Sequence, residues 1–62
     1  MKFISVTISN EPNDISSYTL YINADHILSM LEKNGKTMIV FIDGSTFLVE
    51  EHIDDLLEDI RR

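Results

Sequence analysis

The chain predicts a small α+β fold, an antiparallel β-meander of about five strands with one C-terminal amphipathic helix packed on the sheet. Three observations carry this. Between His26 and Val49, three apolar runs are joined by Asn34-Gly35 and Asp43-Gly44. These dipeptides tolerate the positive φ values of tight hairpin turns. Before them, Lys2 to Ser9 sets Ile4, Val6 and Ile8 against Phe3, Ser5 and Thr7, the period-two alternation of a half-buried strand. After them, Ile53, Leu56, Leu57 and Ile60 fall at i, i+3, i+4 and i+7, one stripe of a helix.

Taken in order, the first strand covers about 2–9. Asn10 to Ser17 is polar and holds the single Pro, Pro12, so it predicts a loop. Tyr18 to Ile22 is aromatic and β-branched and makes the second strand. Asn23-Ala24-Asp25 turns a short corner, where Asx side chains cap the local backbone. The meander follows over about 26–33, 37–42 and 46–49, and the helix over about 50–61. Acidic residues crowd the first turns of that helix and Arg61-Arg62 close it, as the helix dipole favours. Sixty-two residues make a single small domain, 1–62.

Two-residue turns at both dipeptides would pair Lys33 with Lys36, Ile27 with Ile42, Val40 with Phe47 and Met38 with Val49. One face would then carry Ile27, Ser29, Leu31, Met38, Val40, Ile42, Ser45, Phe47 and Val49, the more continuous apolar set and the expected core. The other would carry Leu28, Met30, Ile39, Phe41 and Leu48 at its centre, with Glu32, Thr37, Thr46 and Glu50 around them. An apolar centre inside a polar rim is how binding surfaces are built. Leu28, Met30, Ile39, Phe41 and Leu48 are therefore the expected partner or oligomer face, with Phe41 as its anchor.

A chain this short buries only about 60% of its unfolded surface. With no Cys, neither a disulfide nor a thiolate metal site is available, and self-association is the remaining stabiliser, so a dimer or larger homo-oligomer is expected. Eleven acidic against five basic residues give a net charge of −6, which disfavours direct contact with a phosphate backbone. No apolar run approaches the ~20 residues of a membrane span. The opening Met1–Ser9 does not read as a secretory leader, and the absence of Cys fits the cytoplasm.

The candidate chemistry is thin. His26 and His52 lie beside Asp25 and Glu51, but neighbours on a strand face opposite ways and no metal-ligand spacing appears. Carboxylates paired for hydrolysis flank a cleft, whereas Asp54, Asp55, Glu58 and Asp59 fall on the wet side of a short helix. Both Gly residues sit in hairpin turns, so no phosphate loop is available. The aromatic residues lack the interleaved Lys or Arg of a base-stacking surface. The residues thus predict no enzyme, no metal and no cofactor. Glu51, Asp54, Asp55 and Glu58 form an expected acidic helix face. A second reading makes that face the active part of a phage or mobile-element inhibitor that imitates DNA and binds a nucleic-acid-binding protein.

From Tyr21 onward the chain resembles the small FlbD/SwrD-type flagellar proteins of bacteria. The likeness rests on Tyr21-Ile22-Asn23-Ala24-Asp25-His26-Ile27, Thr37-Met38-Ile39, Asp43-Gly44 and the run from Val49 to Ile60. Ala24 stands where that family usually has Pro, Lys33-Asn34-Gly35-Lys36 replaces its usual turn, and the Asn10–Ser17 loop is longer. The resemblance implies a cytoplasmic, non-enzymatic accessory protein associated with motility.

Overall fold

The computed structural model describes residues 2–8 and 18–62; the expected loop over 10–17 lies outside them. Five strands, β1 (Phe3–Ile8), β2 (Tyr18–Asn23), β3 (Ile27–Lys33), β4 (Lys36–Phe41) and β5 (Thr46–Val49), are followed by one helix, α1 (Ile53–Arg61). The strands form one antiparallel sheet in the order β2-β1-β5-β4-β3. This is the α+β arrangement that the hairpin dipeptides and the C-terminal period predict.

The sheet has to curl. β2 and β3 are its two outermost strands, yet only the 3-10 turn Ala24–His26 separates them in sequence. In a flat sheet they would stand about 19 Å apart, four spacings of ~4.8 Å. Four Cα steps from Asn23 to Ile27 reach about 14 Å even fully extended, and less through a 3-10 turn. Among the described residues, β1 meets β5 at the pair Ile8–Val49 and through a bond from the Glu50 N–H to the Thr7 carbonyl, 2.9 Å. At the corner, the Asn23 side-chain oxygen accepts from the Asp25 N–H at 3.0 Å and the Ala24 N–H donates to the Lys2 carbonyl at 2.7 Å.

Inside the curl lie Ile4, Val6 and Ile8 of β1, Ile22 of β2, Ile39 and Phe41 of β4, Val49 of β5 and Leu56 of α1. Leu20, Ile27, Met30, Phe47 and Ile60 pack around them. Phe41 and Phe47 meet edge to face, centroids 5.5 Å apart, the arrangement ring quadrupoles favour. Among the described residues only one polar residue is fully buried, Thr37, and its hydroxyl donates to the Glu51 carbonyl at 2.8 Å.

The two hairpin dipeptides behave differently, and the difference decides the faces. Asn34 (φ 53) and Gly35 (φ 80) form the expected two-residue turn between Lys33 and Lys36. The second connection is three residues, Ile42-Asp43-Gly44, closed by Phe41 N–H to the Ser45 carbonyl and Gly44 N–H to the Phe41 carbonyl, both 2.9 Å. Only Gly44 takes a positive φ, 92°, as in a type I turn followed by a left-handed residue. One extra residue slips β5 by one: Ile39 pairs with Phe47, Met38 with Leu48 and Thr37 with Val49. A slip of one exchanges the faces of a whole strand. A second irregularity between Ile27 and Ser29 pairs Ile27 with Phe41 instead of Ile42, and so turns Ile27 inward as well. The expected core face is thereby corrected: Leu31, Met38 and Val40 lie on the outside, and Met30, Ile39 and Phe41 inside.

The helix also starts three residues later than its charge pattern suggests. Glu50 still pairs with Thr7, and both Glu51 carboxylate oxygens accept from the Thr7 N–H, at 2.8 and 3.0 Å. The Thr7 hydroxyl adds a third bond at 2.9 Å. The backbone turns into α1 only at His52, whose Nδ1 accepts from the Asp54 N–H at 3.2 Å and caps the helix.

Candidate interaction surface

The expected partner face does not exist as one surface. Ile39 is fully buried and Phe41 is 8% exposed, both in the core, and Met30 packs against that core. Phe41 therefore anchors the interior. Leu48 lies on the outer face, and Leu28, 67% exposed, projects at the irregular step of β3. The acidic helix face is corrected in one member. Asp54, Asp55 and Glu58 are exposed on α1, while Glu51 precedes the helix and is occupied by Thr7.

What the register builds instead is an apolar row across the outside of the meander. Leu31 opposes Met38, and Met38 opposes Leu48, with Val40 two residues along on the same face. Leu31 is 46% exposed, and Met38, Val40 and Leu48 are half-buried. Charge borders one end: Lys33 pairs with Lys36 in the ladder, and Lys36 Nζ lies 3.3 Å from Glu50 Oε2. Ser29, opposite Val40, and Thr46, on the other side of Val40, border the other end. This is an apolar centre between polar ends, on a three-stranded platform.

Leu31, Met38 and Val40 share a face with Phe47 and Val49 only if the second turn holds two residues, whereas it holds three. The signal that could have moved them is the pairing of Asp43 and Gly44 with Ser45. An Asp whose carboxylate can reach the N–H two residues on favours an Asx turn, and a Gly after it suits the left-handed close of a three-residue loop.

A groove of about 450 Å³ opens at one end of the curl, between Ile22, Phe41 and Phe47 on its apolar side and Asn23, His26, Asp43 and Ser45 on its polar side. His26, Asp43 and Ser45 are not set up for nucleophilic chemistry. The Ser45 hydroxyl and N–H both donate to Asp43 Oδ1, at 2.7 and 2.9 Å, and these bonds hold the Asp43 carboxyl below its ordinary pKa. The hydroxyl thus faces a carboxylate whose lowered pKa makes it a weaker base than an ordinary aspartate, whereas a nucleophile needs an adjacent base strong enough to take its proton. Among the described residues, no group of three or more His, Asp or Glu is placed to hold a metal ion. No described helix is long and apolar enough to cross a membrane.

A family model described as "FlbD: Flagellar and Swarming motility proteins" matches residues 13–62. No curated protein and no solved structure matches the chain.

Proposed function

Since the chain belongs to the FlbD family of flagellar and swarming motility proteins, we propose that it is a non-enzymatic, cytoplasmic accessory protein of motility that acts by binding another protein. The observation that supports this reading is the outward row Leu31–Met38–Leu48 with Val40 beside it. A helix and a curled sheet already enclose a complete core without these four side chains. None of the four belongs to that core, and an apolar centre of this kind between polar ends is the anatomy of a protein-binding patch. The partner that fits is a protein surface presenting an aliphatic or aromatic anchor to Met38.

The test is genetic and structural together. A strain lacking the protein is complemented with the wild type, with Met38→Glu, and with Leu57→Glu as a control on the exposed side of α1. Met38→Glu is expected to fold as the wild type by circular dichroism and to fail to restore swarming, whereas Leu57→Glu restores it. Full swarming with Met38→Glu would refute the assignment.

A further inference from the structure

The sheet has two edges, and they are built differently. β3 carries the devices that keep an edge from pairing: an irregular step between Ile27 and Ser29, the projecting Leu28, and the charged Glu32 and Lys33. Bulges and charges of this sort are how natural sheets block edge-to-edge association. β2, Tyr-Thr-Leu-Tyr-Ile-Asn, has none of them: no charge, no Pro, and an unbroken six-residue register with β1. Among the described residues its far side makes no backbone hydrogen bond. Tyr18, Thr19 and Tyr21 are exposed, Tyr21 by 70%.

We propose that β2 is a self-association edge, on which a second copy of this chain adds its own β2 antiparallel across a twofold axis. Charge selects this occupant. A chain of net charge −6 repels its own copies at most surfaces, and an uncharged strand is where two of them can meet without opposing like charges. A twofold contact is self-complementary by construction, and the alternation of the strand fixes its register. Directly opposed residues share a face, so core-side residues must meet core-side residues. Leu20 and Ile22 point to the core and Thr19 and Tyr21 away from it, which limits the pairing to positions whose numbers sum to an even value. A sum of 40 places Leu20 opposite its own copy on the core side. On the outer side it places Thr19 opposite Tyr21 twice, the aromatic and β-branched combination that stabilises sheets. The result is one sheet continuous through both copies. The surface used is separate from the outer row of β3, β4 and β5, so the two readings stand or fall independently.

The experiment is sedimentation velocity of the full chain across a wide concentration range, with three proteins. The wild type is expected to move from 7.1 kDa toward twice that mass as concentration rises. Thr19→Lys/Tyr21→Lys sets like charges opposite each other at both outer pairs and should weaken dimerisation by about tenfold or more. Thr19→Lys/Tyr21→Glu sets opposite charges there and should restore it, with circular dichroism checking that both variants keep the fold. A wild type that stays at 7.1 kDa throughout would overturn the proposal. So would a lysine pair that dimerises as well as the wild type, or a lysine–glutamate pair as dissociated as the lysine pair.

Discussion

Glu51 is the residue on which the junction of sheet and helix depends, and its removal can be given a magnitude. Its carboxylate accepts the Thr7 N–H at 2.8 and 3.0 Å and the Thr7 hydroxyl at 2.9 Å, 44 residues away in sequence. Among the described residues β1 meets β5 at one residue pair and through one backbone bond. These side-chain bonds add a further tie between the N-terminal hairpin and the meander, beside the core that Ile4, Val6, Ile8 and Val49 share. Bonds to a charged group contribute about 1.5–3 kcal/mol. Thr7 is half-buried, so its N–H does not fully recover water when the acceptor is lost. We expect Glu51→Ala to cost about 2–3 kcal/mol. A chain of this length has only about 3–9 kcal/mol in total, so the melting temperature should fall by about 10–20 °C. The assay is urea unfolding by circular dichroism, with Glu50→Ala as the comparison. Glu50 is exposed and ion-paired to Lys36, an interaction contributing about 0–1 kcal/mol. A Glu51→Ala protein within about 0.5 kcal/mol of the wild type, the scatter of ordinary surface substitutions, would refute the view that this carboxylate ties β1 to the start of the helix.

The two faces of the meander should respond oppositely to truncation. Phe41→Ala empties a buried site against Phe47 and should cost about 3–5 kcal/mol, leaving the chain largely unfolded, whereas Leu48→Ala on the outer face should cost about 1 kcal/mol or less; equal losses in urea unfolding would mean the register is wrong. Asp43 should titrate below its ordinary 3.8 because Ser45 donates twice to its ionised form. A depressed folded-state value stabilises the fold above the unfolded value and loses that contribution as pH falls through the folded one. Carboxyl carbon NMR between pH 2 and pH 5 checks this, and Ser45→Ala should return the midpoint toward 3.8; a midpoint already at or above that value in the wild type would contradict the Asx turn.

The elements were legible because their causes are local. The period-two alternation of β1, the Asn34-Gly35 turn with its two positive φ values and the Ile53–Leu56–Leu57–Ile60 stripe each depend on residues within a few positions of one another. The family resemblance over Tyr21 to Ile60 followed from the same short motifs, and the family match over residues 13–62 agrees with it. The surface was not legible, because a face is the sum of every residue counted from a turn. A single residue in the Asp43-Gly44 connection and a single irregular step in β3 exchanged Met38 and Val40 for Ile39 and Phe41 as core. Periodicity sees two apolar faces on β4 and has no term that ranks them.

Composition, turn chemistry and hydrophobic period were enough to establish strands, hairpins, one closing helix and the absence of a disulfide scaffold. Which side of the meander α1 covers, where α1 starts, and that the sheet curls were decided by contacts distant in sequence. Thr7 binds Glu51 across 44 residues, Thr37 binds the Glu51 carbonyl across 14, and a three-residue corner forces β2 and β3 toward each other. Local preferences act within a few residues, whereas burial is settled only once the whole chain has closed around one core.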